Sequence, residues 1–205
     1  MENYSKKLEE LIANLHGQVP RLLLHACCAP CSSYCIEYLS EYFEITVLYY
    51  NPNITPDEEY IHRINELRRF IDVFPTKHSV EMIETSPCHE DFLSAVKGLE
   101  ALPEGEERCF VCYRQRMEEA ARLASKGGYD YFTTTLSISP LKNAAKINEI
   151  GEELSDIYNV KHLPSDFKKK NGYLRSTQLS AEYGMYRQDY CGCEFSKRDR
   201  YKNKT

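Results

Sequence analysis

The cysteines of this 205-residue chain are its chemically most telling residues, and seven of the nine fall into three tight groups. The groups are Cys27-Cys28-Ala29-Pro30-Cys31, Cys109-Phe110-Val111-Cys112 and Cys191-Gly192-Cys193. Thiolates at such short spacings are soft ligands, suited to structural zinc, an iron–sulfur cluster or dithiol redox chemistry. One tetrahedral zinc ion takes four ligands, fewer than the set of Cys27, Cys28, Cys109, Cys112, Cys191 and Cys193 provides. An all-cysteine 4Fe–4S cluster also takes four, and the remainder can hold an adjacent metal or approach a substrate. The count favours iron–sulfur, with zinc and a redox dithiol left open. Cys31 repeats the CxxC spacing with Cys28 and is a seventh ligand or lies just behind the others. Cys35, beside Ile36 and Leu39, reads as a buried apolar thiol, and Cys88 as structural.

Composition supports the metal and redox readings over disulfides. Hydrophobic residues make up 42% and charged residues 28%, as in ordinary soluble domains. No apolar run approaches the ~20 residues of a membrane span. The first residues, MENYSKKLEELIANLHG, lack the apolar stretch of a secretory signal. A cytoplasmic location is therefore expected, where thiols stay reduced. Net charge is −5, but residues 165–205 carry +5 and the rest −10. Lys168-Lys169-Lys170 and the basic tail from about 196 are solvated surface or a phosphate-binding stripe.

Strands and helices alternate along the chain, as a positioning frame for these groups requires. Leu22–His25, Glu44–Tyr50, Ser79–Thr85, Tyr131–Thr135 and Lys161–Leu163 read as strands. Helices are expected over 31–42, 57–74, 89–96, 110–126, 143–158 and 176–186. This order predicts one α/β domain over residues 1–205. Its sheet is mainly parallel with helices on both faces, a Rossmann-like three-layer arrangement. The first group then follows the first strand, the second opens a helix whose dipole favours thiolate, and the third follows the last helix. Where a nucleotide-binding relative would carry a glycine-rich loop, this chain has HACCAPCSS, with no glycine.

Polar residues flank the same groups. Tyr50, Asn51 and Asn53 end the second strand, Tyr113 and Arg114 follow Cys112, and TTTLSISPLK ends in Lys142. Arg187, Asp189 and Tyr190 run into Cys191. There are 16 tyrosines and no tryptophan. Rings of this kind stack bases, although most tyrosines serve cores.

In order along the chain, LLLHACCAPCS, YYNPNI, CFVCYRQRM, TTTLSISPLK and YRQDYCGC resemble the QueH family of epoxyqueuosine reductases, over residues 21 to 195 or so. The resemblance implies reduction of epoxyqueuosine to queuosine at the wobble position of tRNA, the last step of queuosine biosynthesis. It further implies a 4Fe–4S cluster with an additional iron or other divalent metal nearby, and no cobalamin. Its metal-binding positions fall on Cys27, Cys28, Cys109, Cys112, Cys191 and Cys193, with Cys31 a further contact.

Converting the epoxide to an alkene consumes two electrons and two protons and releases water. Asp189, Tyr190 and Tyr113 are the candidate acids. Tyr50, Asn51, Asn53, Arg114, Lys142 and Arg187 are candidates for holding substrate or RNA backbone. A low-potential ferredoxin or flavodoxin is the expected electron donor, and no membrane partner is expected. Two other classes stay open, a cluster-dependent tRNA sulfur-transfer enzyme and a non-catalytic zinc-bound RNA-binding protein. The first should carry an ATP-binding loop, and the second would be colourless.

Overall fold

A computed structural model describes residues 2–86 and 88–202. Five strands form one parallel sheet in the order β3-β2-β1-β4-β5. They are β1 (Arg21–Ala26), β2 (Glu44–Tyr49), β3 (Val80–Glu84), β4 (Tyr131–Thr134) and β5 (Lys161–His162). The central strand β1 is buried on both faces because its side chains alternate between two cores. Leu22, Leu24 and Ala26 join Ile45, Val47 and Tyr49 under α1 (Tyr4–Ala13), α2 (Ala29–Leu39) and α3 (Asp57–Val73). Leu23, Leu48 and Phe132 face the other way, onto α5 (Glu107–Gly127) and α6 (Ala144–Tyr158). The expected three-layer α/β architecture is therefore present, with a sheet that is parallel throughout.

Several boundaries differ from the sequence-based expectation, each for a local reason. Helix α2 begins at Ala29 because Cys28 is extended, at φ −173°, and Pro30 sits in the first turn, where its missing N–H costs nothing. Helix α5 begins at Glu107, placing Cys109 and Cys112 in its first two turns, and ends at Gly128 in the left-handed conformation. Helix α7 (Gly172–Glu182) lies four residues earlier than expected. Gly172 permits that start, because a Cβ there would stand 2.0 Å from the Phe167 carbonyl oxygen, and the turn at Gly184 (φ +57°) closes the end.

The described part of the basic tail lies in α8 (Glu194–Lys202), where Phe195 and Ser196 are buried. Phe195 packs with Phe92 of α4 (His89–Ala95) and with Cys112 and Cys193, in a small third core that caps the sheet's carboxyl edge. Lys204 lies outside the described residues.

A cysteine site at the carboxyl edge of the sheet

The β1–α2 turn holds Cys27, Cys28 and Cys31 with their sulfurs all within 4.8 Å of one another, a group able to hold a metal ion. The Cys27 and Cys28 sulfurs are 3.8 Å apart. The turn is fixed by backbone and by short polar bonds. Ser32 Oγ donates to the Cys28 carbonyl (2.7 Å), and Asn51 Nδ2 donates to the Ala26 carbonyl (2.9 Å). Under it, buried His25 bridges Thr134 Oγ1 (2.8 Å) and the Tyr50 carbonyl (3.1 Å). Burial, reinforced by the charge of Arg116, pushes the His25 imidazole down to about 4, so it is neutral. Within the thiol triad, hydrogen bonds from Cys28 and Cys31 hold Cys27 well below the usual thiol value. The same bonds push Cys28 up to about 12 and Cys31 well up.

The other two groups stand on the cap. Gly105 N donates to Cys109 Sγ (3.2 Å), and Ser196 N donates to Cys193 Sγ (3.3 Å). Lys142 Nζ donates to Cys191 Sγ (3.2 Å). Burial opposes the Lys142 charge, yet Cys191 and Tyr113 hold its ammonium well above the ordinary value. On α5 burial works against the helix dipole that favours thiolate. Burial raises Cys109 and pushes Cys112 up to about 11. Cys193 rises to about 12, through burial and then its neighbour Cys191.

The Cys191-Gly192-Cys193 loop is held from the sheet side by Arg63, whose Nη1 donates to the Cys191 carbonyl (3.1 Å). Gly192 takes φ +118°, and a Cβ there would meet Ile54 Cγ1 at 2.9 Å and Arg63 Nη1 at 3.0 Å. Thr55 N donates to the Gly192 carbonyl (3.1 Å), so the loop is stitched onto the NPNIT segment. Arg63 was not among the residues expected from sequence. It reads there as one charge on an amphipathic helix, and only the fold buries it.

A cavity of about 350 Å³ opens onto Cys27, Cys31 and Cys191. Lys142, Arg187, Asp189 and Tyr190 also line it. Arg187 Nη1 donates to Ser180 Oγ (2.9 Å). Asp189 accepts from the Tyr201 hydroxyl (3.1 Å) and lies 3.7 Å from Arg200. Tyr190 stands between Arg63 (5.3 Å) and Lys197 (5.7 Å).

The remaining predicted site residues lie elsewhere. Tyr113 is buried on α5, with Lys142 6.0 Å from its ring. Arg114 is on the outside of α5, paired with Glu153 of α6 at 2.6 Å. Asn51 and Asn53 are buried behind the turn, and Asn53 has no hydrogen-bond partner for its amide among the described residues. Tyr50 packs among the residues of the α5 and α6 core. Cys35 is buried, and Cys88 is exposed beside Glu90 (3.0 Å).

Fold and site together define a parallel three-layer α/β protein in which Cys27, Cys31 and Cys191 line one cavity beyond the strand ends, where open α/β sheets hold ligands. The model of the epoxyqueuosine reductase QueH family matches residues 22–199, and the chain belongs to that family. The Staphylococcus epidermidis epoxyqueuosine reductase QueH is 44% identical over 200 residues, covering 95% of this chain and 84% of that protein. The Thermotoga maritima epoxyqueuosine reductase QueH is 36% identical over 182 residues, covering 87% and 91%. Among solved structures, a predicted subunit of a tRNA methyltransferase from Methanocaldococcus jannaschii superposes with a TM-score of 0.52 at 12% identity. That match covers 80% of this chain and 75% of the other, and is a likeness of fold alone.

Proposed function

We propose that this chain reduces epoxyqueuosine to queuosine in tRNA, with a 4Fe–4S cluster and an additional iron held by its three cysteine groups. The observation that carries the reading is the cavity of about 350 Å³, space for one modified nucleoside, opening directly onto Cys27, Cys31 and Cys191. The surrounding charges fit such a cofactor. Arg63, Arg116 and Lys142 stand around the thiols, and among the described residues only Arg63 has a carboxylate, Glu59, within salt-bridge distance. This cationic excess suits a thiolate-ligated cluster, which is anionic. The seven cysteines would hold the metals, and these supply single electrons and Lewis acidity when bound.

The chain's own side chains do the rest. The cavity seats the substrate beside the thiols, and Arg187 and Lys142 in its wall offer N–H donors to the substrate's polar groups. Asp189 and Tyr190, at the cavity wall, are the candidate proton donors to the departing oxygen. Tyr113 and Arg114 do not line that wall, and this reading gives them no contact with substrate. The balance is one epoxide, two electrons and two protons to one alkene and one water. A low-potential carrier of the ferredoxin or flavodoxin type supplies the electrons, and the reaction runs in the cytoplasm. Among the described residues no helix is long and apolar enough to cross a membrane.

The test is anaerobic incubation of the reconstituted protein with epoxyqueuosine-containing tRNA and a strong reductant, read by nucleoside mass analysis. Conversion to queuosine is expected. An intact epoxide with protein that holds iron and sulfide overturns the reaction, and colourless protein with zinc but no acid-labile sulfide overturns the cofactor.

A further inference from the structure

Three arginines are fully buried, Arg63, Arg108 and Arg116, and they differ in what answers their charge. Arg63 pairs with Glu59 (2.7 Å), donates to the Cys191 carbonyl and faces the Tyr190 ring. Arg108 donates to the carbonyls of Glu100 and Leu102, lies 3.6 Å from Asp199 and packs on the Phe195 ring. Arg116 is 1% exposed and makes a single bond, from Nε to the Cys112 carbonyl (3.2 Å). Its Nη1 and Nη2 are buried with no partner among the described residues, and no carboxylate lies within salt-bridge distance.

Removing a guanidinium from water is costly, and the cost is offset only when an anion or a full set of acceptors meets it. Among the described residues no such acceptor meets Nη1 or Nη2. The location of Arg116 follows from helix geometry. Cys109, Cys112, Tyr113 and Arg116 recur at helical spacing on α5, so Arg116 lies on the face that carries the thiols, one turn beyond Cys112. Its charge acts on Cys112, Cys191 and Cys27, one thiol from each group. Lys142 enters the same region and is repelled by it, so the two cations call for an anion between them.

We infer that Arg116 is a positioning residue of the metal centre, whose two Nη groups donate to sulfur of the cysteine-held cluster. The inference rests on the iron–sulfur reading above. A cation donating at that point stabilises the more negative, reduced form of the cluster and so raises its reduction potential. The planar fork matters as well as the charge, since a lysine ammonium on a flexible stem cannot reproduce two parallel N–H donors.

The test compares reconstituted wild type with Arg116→Gln and Arg116→Lys by iron and sulfide content, thermal unfolding and potentiometric titration of the reduced signal. For Arg116→Gln the reduced-to-oxidised ratio at fixed potential is expected to fall at least tenfold, about 59 mV for a one-electron couple. Arg116→Lys should fall between the two. A space-filling role would lower thermal stability and leave the potential unmoved, so loaded variants at the wild-type potential overturn the inference. Should Arg116→Gln fail to fold or load, protein labelled with 15N in the arginine side chain decides. A 15N coupling to the reduced centre in wild type that disappears in Arg116→Lys supports the inference, and its absence from loaded wild type overturns it. Wild type without iron or sulfide overturns both the inference and the iron–sulfur reading. An unmoved potential in loaded protein overturns the inference alone.

Discussion

The two sides of the cysteine site are built by different means. Cys27, Cys28 and Cys31 stand on the one turn between the central strand and α2, which with its short polar bonds from Ser32 and Asn51 keeps their sulfurs within 4.8 Å of one another. Cys109, Cys112, Cys191 and Cys193 come from α5 and from a loop 80 residues away in sequence, joined by side chains that cross between elements. Arg63 reaches the Cys191 carbonyl, Ser196 Oγ accepts from Cys191 N (2.9 Å) and donates to Glu104 (3.1 Å), and Arg108 meets Asp199 of α8. The sheet side is therefore a rigid half-site, and the cap is an assembly whose parts depend on one another. Perturbing a cap contact should loosen the cap and leave the sheet side in place.

The largest effect is expected at Arg63. Arg63→Gln leaves Glu59 without its cation and removes the donor to Cys191, a broken buried pair worth about 3 kcal/mol. For a chain of this size that lowers the melting temperature by roughly 10 °C. Hydrogen exchange read by mass spectrometry should show lost protection over residues 186–193 with β1 unchanged. Equal loss in β1 would mean that the two sides are one cooperative unit.

Gly192→Ala is the next smaller perturbation. The residue sits at φ +118°, with Ile54 and Arg63 already where a Cβ would go, so about 2 kcal/mol is expected from backbone strain and displaced contacts. Iron retained after anaerobic reconstitution should fall with it. Unchanged iron content at lowered stability would show that the loop tolerates displacement without losing its metal.

The same division explains what was legible in the sequence. The β1–α2 turn was readable because an apolar run, three thiols and Pro30 succeed one another locally, and periodicity places them at a strand end. The parallel sheet was readable because short apolar runs such as those in Arg21–Ala26 and Glu44–Tyr49 are separated by helical stretches, an order that implies parallel pairing. The cap was not. Nothing in RDRYK announces that α8 docks through Asp199 onto Arg108, or that Phe195 meets Phe92. Arg63 and Arg116 look in sequence like any surface cations on amphipathic helices, and only the fold shows which charge is buried. Arg114 illustrates the converse, a charge beside the CxxC group that the helix turns outward onto Glu153.

Acid should act on the sheet side through histidine. Burial holds His25 at about 4 and His162 at about 3, below the ~6.5 of an unfolded chain. Between those values the unfolded state binds more protons, so stability rises with pH there. It is complete above about 6.5 and is lost progressively as pH falls toward the folded values. Near pH 5.5 each histidine costs about 1 kcal/mol, measurable as a shift in urea midpoint relative to pH 7.5. His162→Phe should remove one share, since the ring already packs on Phe132 (5.3 Å), and the remaining slope belongs to His25 under the thiol turn. A variant with no remaining slope would detach His25 from the stability of that turn.

The smallest effect separates thiols that build the sheet side from thiols that serve it. Cys35 is fully buried among Ile36 and Leu39, and its thiol donates weakly to the Cys31 carbonyl (3.4 Å). Cys35→Ala removes only one sulfur's volume, costing about 1 kcal/mol, or roughly 2–4 °C in melting temperature. Iron and sulfide content should stay at the wild-type level, because burial pushes the Cys35 thiol well up and nothing brings it to the cavity. Cys31→Ser should invert that pattern, since Cys31 lines the cavity within the thiol triad and is only partly buried. Its loss is expected to lower metal content while the melting temperature of the metal-free protein barely changes. If Cys35→Ala lost metal as readily as Cys31→Ser, the turn would be holding its thiols through packing rather than through backbone. The rigid half-site would then be no more preformed than the cap.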